Sequence, residues 1–130
     1  MRVRQTGNLR QLIAVDEAHH IAPKESDQRS YLELVAIENR KFGQGVLAAT
    51  TSPNQLSEAL LSNANTRICH LLDDGKDVDL MLRFEVNMLE ADRFVADIRE
   101  LQLEEALVQV SSPITFGPSR VKVQASSGQQ

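Results

Sequence analysis

Asp16 and Glu17 stand side by side directly after four apolar residues, Leu12-Ile13-Ala14-Val15. An apolar run that breaks abruptly into two acids reads as a buried strand whose C-terminal end meets solvent. In an open α/β sheet, ligands bind at that edge. There Asp16 could hold a Mg²⁺ ion through water, because Mg²⁺ takes oxygen ligands and keeps much of its hydration. Glu17 could then polarise a water for attack on a phosphoryl group. The competing reading is a strand that simply ends in two solvated acids.

Other residues with chemical potential carry weaker patterns. His19 and His20 follow the two acids, but no His-Glu-x-x-His helix is present and the single cysteine, Cys69, is fifty residues away, which argues against zinc. Asp73, Asp74, Asp77 and Asp79 lack the EF-hand order, with Gly75 in the wrong place, so they read as a solvated loop followed by a helix cap. Cys69 sits inside an apolar run and reads as an inert core residue. Met81, Phe84, Phe94 and Ile98 also read as core.

The elements that must position these residues alternate along the chain. Leu12–Val15 is the first strand. Ser30 followed by Glu33 has the form of a capping box and opens a helix reaching about Phe42, with Tyr31, Leu34, Val35 and Phe42 on one side and Gly43 as its stop. Val46–Thr50 is a second strand, Pro53 starts a short helix through about Leu61, and Arg67–Leu72 is a third strand. Asp77 caps a helix carrying Val78, Met81 and Leu82, and a further helix spans about Glu90–Leu101. Ala106–Val110 and Arg120–Gln124 are two β segments joined by a Pro- and Gly-containing connection. Such alternation predicts a parallel sheet covered by helices, an α/β fold.

Composition narrows the function. The chain has 130 residues, about one domain's worth, of which 42% are hydrophobic and 25% charged, an ordinary globular balance. No run reaches the ~18 apolar residues of a membrane span, and the arginine-containing start, Met1–Arg10, has no apolar stretch behind it that would make a secretory signal. A net charge of −4 disfavours a simple basic nucleic-acid module, and the absence of tryptophan with only 4% aromatics disfavours base-stacking platforms. A single cysteine excludes an internal disulfide and suits a reducing, cytoplasmic compartment.

Taken in order, several segments resemble the second half of the HerA/FtsK-type P-loop ATPases, hexameric DNA-translocating motors, and most closely their HerA-like branch. Leu12–Glu17 is similar to the Walker B strand. Arg40-Lys41-Phe42-Gly43 is similar to that family's Arg-Lys-aromatic-Gly segment, Ala48–Pro53 to its sensor strand, and Glu105–Val108 with Val121–Val123 to its closing hairpin. The resemblance runs from about Leu12 to Val123. It implies a partial RecA-like P-loop NTPase core with a parallel sheet and helices over residues 1–104 and a C-terminal β-hairpin over 105–124, while the polar, small residues 125–130 read as a disordered tail. It further implies ATP and Mg²⁺ as cofactors, Thr50 and Thr51 at the nucleotide, and Arg40 as an arginine finger reaching a neighbouring subunit. The implied partners are DNA and other P-loop-bearing subunits in a ring, with no membrane. Arg67 is a weaker choice for a phosphate contact.

Two departures from that pattern matter. The family's sensor segment usually has Gln where this chain has Thr51. No Gly-x-x-x-x-Gly-Lys-Ser/Thr phosphate loop is present: the one Gly-Lys, Gly75-Lys76, has His70 in place of the first glycine and Asp77 in place of the hydroxyl. In the resembling family that loop lies well upstream of Walker B. The expected function is therefore the Walker B and arginine-finger portion of a HerA-like translocase. The alternative is a non-catalytic remnant or interaction module that lacks nucleotide binding.

Overall fold

The computed structural model describes residues 7–82, 88–110 and 116–124. They fall in two units, Met1–Ala64 and Asn65–Gln130.

In the first unit, β1 (Gln11–Val15) and β2 (Gln44–Ala48) pair in parallel, with Ile13 opposite Val46 and Val15 opposite Ala48. A parallel pair needs a crossover, and α1 (Tyr31–Ile37) supplies it. The capping box at its start is formed in full: the Ser30 hydroxyl accepts from the Glu33 N–H, and the Glu33 carboxylate accepts from the Ser30 N–H. The helix stops five residues short of Phe42. Asn39–Phe42 tighten into a 3-10 turn closed by Gly43 at φ 80°, where a side chain would be strained. That change of winding takes Phe42 out of the 3.6-residue phase projected from the sequence. Leu32 and Val35 are the buried residues of α1, whereas Tyr31 is 58% exposed.

Further on, Ser57 caps α2 (Glu58–Asn63), accepting from the Ala59 N–H. The same Ser57 hydroxyl donates to Glu33, so one carboxylate ties together the starts of α1 and α2. The 3-10 turn Pro53–Gln55 precedes it, and the loop before α1 is pinned there by Lys24 N–H to Gln55 O and Ser57 N–H to Ala22 O. The unit's core is Ala18, Ala22, Leu32, Val35, Leu56, Leu60 and Leu61. One face of its sheet stays open: Leu12 is 53% and Leu47 55% exposed, and Leu9, exposed itself, lies against Gly45. Parallel sheets are usually covered on both faces.

The second unit holds β3 (Thr66–Cys69), β4 (Glu105–Val110) and β5 (Phe116–Lys122) in the order β3-β4-β5, all antiparallel. The third strand expected from the αβ alternation is present, but it runs antiparallel beside β4. Alternation specifies that a strand occurs, not which strand it pairs with. α3 (Gly75–Leu82) and α4 (Met88–Arg99) complete the unit. Val78 and Met81 on α3 and Phe94 and Ile98 on α4 bury the helical faces read from the sequence, and Leu101, read as the end of the last helix, is buried two residues beyond it, together with Cys69 and Leu107 from the strands. The α/β class with a parallel sheet therefore stands, accompanied by a small antiparallel sheet. Phe84, the connection 111–115 and the tail 125–130 lie outside the described residues. Among the described residues, no helix is long and apolar enough to cross a membrane.

Candidate active site

The in-register pairing of β1 with β2 brings their C-terminal ends together. Beyond the last paired residues the ladder continues, with Ala49 N–H to Val15 O and Ala18 N–H to Ala49 O, both 2.9 Å. The residues that follow each strand, Asp16-Glu17 and Thr50-Thr51, therefore share one edge. Glu17 itself adopts φ 47° and ψ 48°, the sole left-handed non-glycine conformation among the described residues. A side chain there costs about 1–2 kcal/mol. The turn persists because its next residue is fixed: Ala18 is fully buried and returns its N–H to β2.

The Glu17 carboxylate does not point freely into solvent. The Thr51 hydroxyl lies 2.9 Å from Oε2 and 3.2 Å from Oε1, and the Thr51 N–H is 3.5 Å from Oε2. His19 Nδ1 lies 3.3 Å from the same Oε2 and 2.8 Å from Thr50 Oγ1. The Ser52 N–H donates to Thr50 Oγ1 at 3.1 Å. The His19 side chain is only 9% exposed, whereas that of Glu17 is 40% exposed. A half-open carboxylate is thus oriented by one hydroxyl and one nearly buried imidazole. That arrangement suits a base that must meet a water molecule at a set angle.

Asp16 sits beside this network with its carboxylate exposed, one oxygen accepting the Glu17 N–H at 2.9 Å. No group of three or more His, Cys, Asp or Glu residues among the described residues could cage a metal. A single open carboxylate at a strand end fits a Mg²⁺ ion that keeps its waters, and does not fit zinc or calcium.

Arg40 is elsewhere. It lies exposed in the 3-10 turn that leads into the start of β2, whereas Thr50 and Thr51 follow its end. Five residues at ~3.3 Å each separate those two edges by about 16 Å. The structure therefore brings Asp16, Glu17, Thr50 and Thr51 to one edge and Arg40 to the opposite one. Beside it, the Lys41 ammonium lies 5.1 Å from the Phe42 ring centre. Arg67 is on β3 in the second unit. The Cys69 thiol is pushed up to about 11, by burial first and by the Asp77 carboxylate second, so it stays protonated near neutrality and is no nucleophile.

His19 is the member of the network that pattern reading missed. As a zinc ligand it had no partners. Its position two residues after a strand-end acid, opposite a hydroxyl-rich strand end, was the signal for a bridging role.

No family model matches the chain. In sequence it is 36% identical over 74 residues to the DNA double-strand break repair helicase HerA of Pyrococcus furiosus, an overlap of 55% of this chain and 13% of that protein. It is 31% identical over 119 residues to the probable DNA double-strand break repair helicase HerA of Methanocaldococcus jannaschii, an overlap of 90% of this chain and 23% of that protein. In structure it resembles the genome packaging NTPase B204 of Sulfolobus turreted icosahedral virus 2, solved in complex with ATP-gammaS. The TM-score is 0.70 at 14% identity, covering 88% of this chain and 52% of that one. The chain spans less than a quarter of the length of these curated relatives.

Proposed function

We propose that this chain, HerA/FtsK-like in sequence and with the fold of a P-loop packaging ATPase, supplies the Walker B, sensor and arginine-finger elements of an ATP-driven DNA translocase or helicase that works as a ring. The observation that carries the reading is the convergence of Glu17, Thr51, His19 and Thr50 at the C-terminal edge of the parallel pair. In this reading residues 1–104 form part of the ATPase core and 105–124 its hairpin.

Glu17 orients the attacking water and takes its proton on a carboxylate oxygen. Thr51 and His19 hold that carboxylate in place. Asp16 holds Mg²⁺ through water, and that ion, when bound, neutralises phosphate charge. Arg40 is too far from Glu17 to serve the same nucleotide, since an edge-to-edge span of about 16 Å exceeds an arginine's reach. This supports action on a neighbouring subunit's nucleotide, where a planar five-donor cation stabilises spreading phosphate charge. DNA as the substrate is carried over from relatives named as DNA repair helicases and a genome packaging NTPase. The phosphate loop, which these 130 residues do not spell, would come from another part of the same protein or from a homologous subunit.

A second reading, a non-catalytic interaction module, is favoured by the open apolar face of Leu9, Leu12 and Leu47. Calorimetry with ATP and Mg²⁺ separates the two. The chain alone should bind no nucleotide; mixed with a P-loop-bearing homologue it should yield Mg²⁺-dependent phosphate release that Glu17→Gln abolishes. Release that persists in Glu17→Gln would overturn the catalytic reading. No release in a mixture shown to assemble would leave the interaction module as the function.

A further inference from the structure

The hydrogen-bond inventory around His19 separates the roles of the two threonines. A hydroxyl has one proton to give and two lone pairs to receive with. Thr51 gives its proton to Glu17, the only acceptor that its hydroxyl meets in the network. Thr50 is placed differently. Its Oγ1 faces the Ser52 N–H, which can only donate, and His19 Nδ1, which donates or accepts according to whether it carries a proton. The second neighbour of Nδ1 decides that question. Glu17 Oε2 lies 3.3 Å away, within ion-pair distance but off the hydrogen-bonding direction of Nδ1, and its negative charge favours the tautomer that carries the proton on Nδ1, from where it is given to Thr50. With a proton on Nδ1, both acceptor positions of Thr50 are filled, by Ser52 and by His19. Its own proton then has to go to a third partner.

We propose that Thr50 is the hydroxyl that donates to a phosphate oxygen of a nucleoside triphosphate, and that His19 is the positioning residue that leaves Thr50's proton available for it. Thr51 does not read phosphate; it is the positioning residue of Glu17. The assignment rests on reading this edge as a phosphate-cleaving site. Thr51 works on the base, and phosphate reading falls to the preceding threonine. His19 joins the two strand ends, so that the base and the phosphate donor keep a set spacing.

The test needs no nucleotide. ¹⁵N NMR of the imidazoles in the intact chain, at about pH 8 and above the ordinary imidazole range, reports which nitrogen of His19 is protonated. The expected result is a proton on Nδ1. Its resonance should shift in Thr50→Val, return in Thr50→Ser and stay unmoved in Thr51→Val. The Glu17 Cδ resonance should move in Thr51→Val and return in Thr51→Ser. An unprotonated Nδ1 would overturn the proposal, because Thr50 would then be giving its proton to His19 and would have none for phosphate. A Glu17 Cδ resonance indifferent to Thr51→Val would overturn the Thr51 assignment. These resonances are read without turnover, so a failed hydrolysis test in the mixed ring leaves them standing, and their failure leaves that test standing.

Discussion

The two units of the chain solve opposite problems. Asn65–Gln130 closes on itself: Ile98 and Val78 are almost wholly buried, α3 and α4 share one core with Cys69 and Leu107, and the sheet pairs three antiparallel strands. The contact of Arg120 with Glu105 lies at the open end of the hairpin and serves structure, holding the Glu105 carboxyl below its ordinary range. Met1–Ala64 has a smaller core of four leucines, a valine and two alanines, leaves one sheet face open, and carries the single strained non-glycine backbone among the described residues. The side chains with chemical potential gather in that less closed unit. The difference teaches that packing and site geometry are supplied by separate stretches of the chain. Variants should therefore divide cleanly between the two.

The largest expected effect tests the site and leaves both folds intact. In a ring restored to a P-loop context, Arg40→Ala and Glu17→Gln should each lose most of their turnover, with about 10³- to 10⁵-fold expected for a finger. Because the two residues stand at opposite edges of β2, mixing the two variants should recover part of the activity at interfaces that pair an intact Glu17 with an intact Arg40. A dead mixture, in rings shown to contain both variants and silent in single turnover too, would remove the trans assignment.

Next in size is core deletion. Ile98→Ala in the second unit should cost about 2–5 kcal/mol. Leu12→Ala, on the open sheet face, should cost about 1 kcal/mol or less, since little apolar surface is re-exposed. Tyr31 is the chain's sole tyrosine and there is no tryptophan, so tyrosine fluorescence follows the first unit alone. Ile98→Ala should lower the melting seen by amide signals of α4 more than that seen by Tyr31. A cost at Leu12 equal to that at Ile98 would show that the open face is covered after all.

A smaller effect is pH-dependent. Burial alone would raise the Glu33 carboxyl, but hydrogen bonds from Ser57, from the Ser30 N–H and from the Ser30 hydroxyl, helped by Arg29, outweigh it and leave it lowered. A group lowered on folding binds fewer protons folded than unfolded in its titration range. Its contribution is therefore present above the unfolded value of about 4.5 and is lost as pH falls through the folded value. Glu33→Gln keeps an amide oxygen for the Ser30 N–H and loses the charge, so it should destabilise the first unit near neutrality by about 0.3–1 kcal/mol. The gap to wild type should close in acid. A gap that stays constant from neutrality down through that range would show that the carboxylate's charge contributes nothing.

Much of this frame was legible in the residues, and the illegible parts share a cause. The Ser30–Glu33 box, the strand before Asp16 and the burial of Val78, Met81, Phe94, Ile98 and Leu101 are local signals, and the structure has each of them; Gly43 does close its segment, but as the end of a 3-10 turn and not of the helix that Ser30 opens. The inward face of α1 was read correctly at Val35 but not at its first turn, where Leu32 rather than Tyr31 is buried, and Phe42 left the helical phase because the sequence does not announce where a 3.6-residue winding becomes 3-10. The antiparallel seat of β3 and the grasp of Thr51 on Glu17 depend on residues thirty or more positions apart. Their partners are selected by packing that no window along the chain contains. His19 is the sharpest case, since its type suggested a metal while its neighbours in space make it a bridge between two strand ends.

The smallest effect addresses the strain itself. Glu17→Ala and Glu17→Gly both delete the carboxylate and so lose the same contacts with Thr51 and His19. They differ in one respect: alanine still has a Cβ to place at φ 47°, and glycine does not. Glycine's looser unfolded chain works against it by about 0.5–1 kcal/mol, while relief of the left-handed conformation gives back about 1–2 kcal/mol. The glycine variant should therefore be the more stable of the two by a few tenths to about 1 kcal/mol, in urea unfolding followed by Tyr31. If alanine proves equal or better, the turn at Glu17 carries no strain in solution. The contrast between a strained site unit and a relaxed packing unit would then rest on the open sheet face alone. If glycine wins by the expected margin, the chain holds a costly backbone at the one residue whose carboxylate meets both Thr51 and His19. That conformation is the one in which the carboxylate reaches Thr51 and His19.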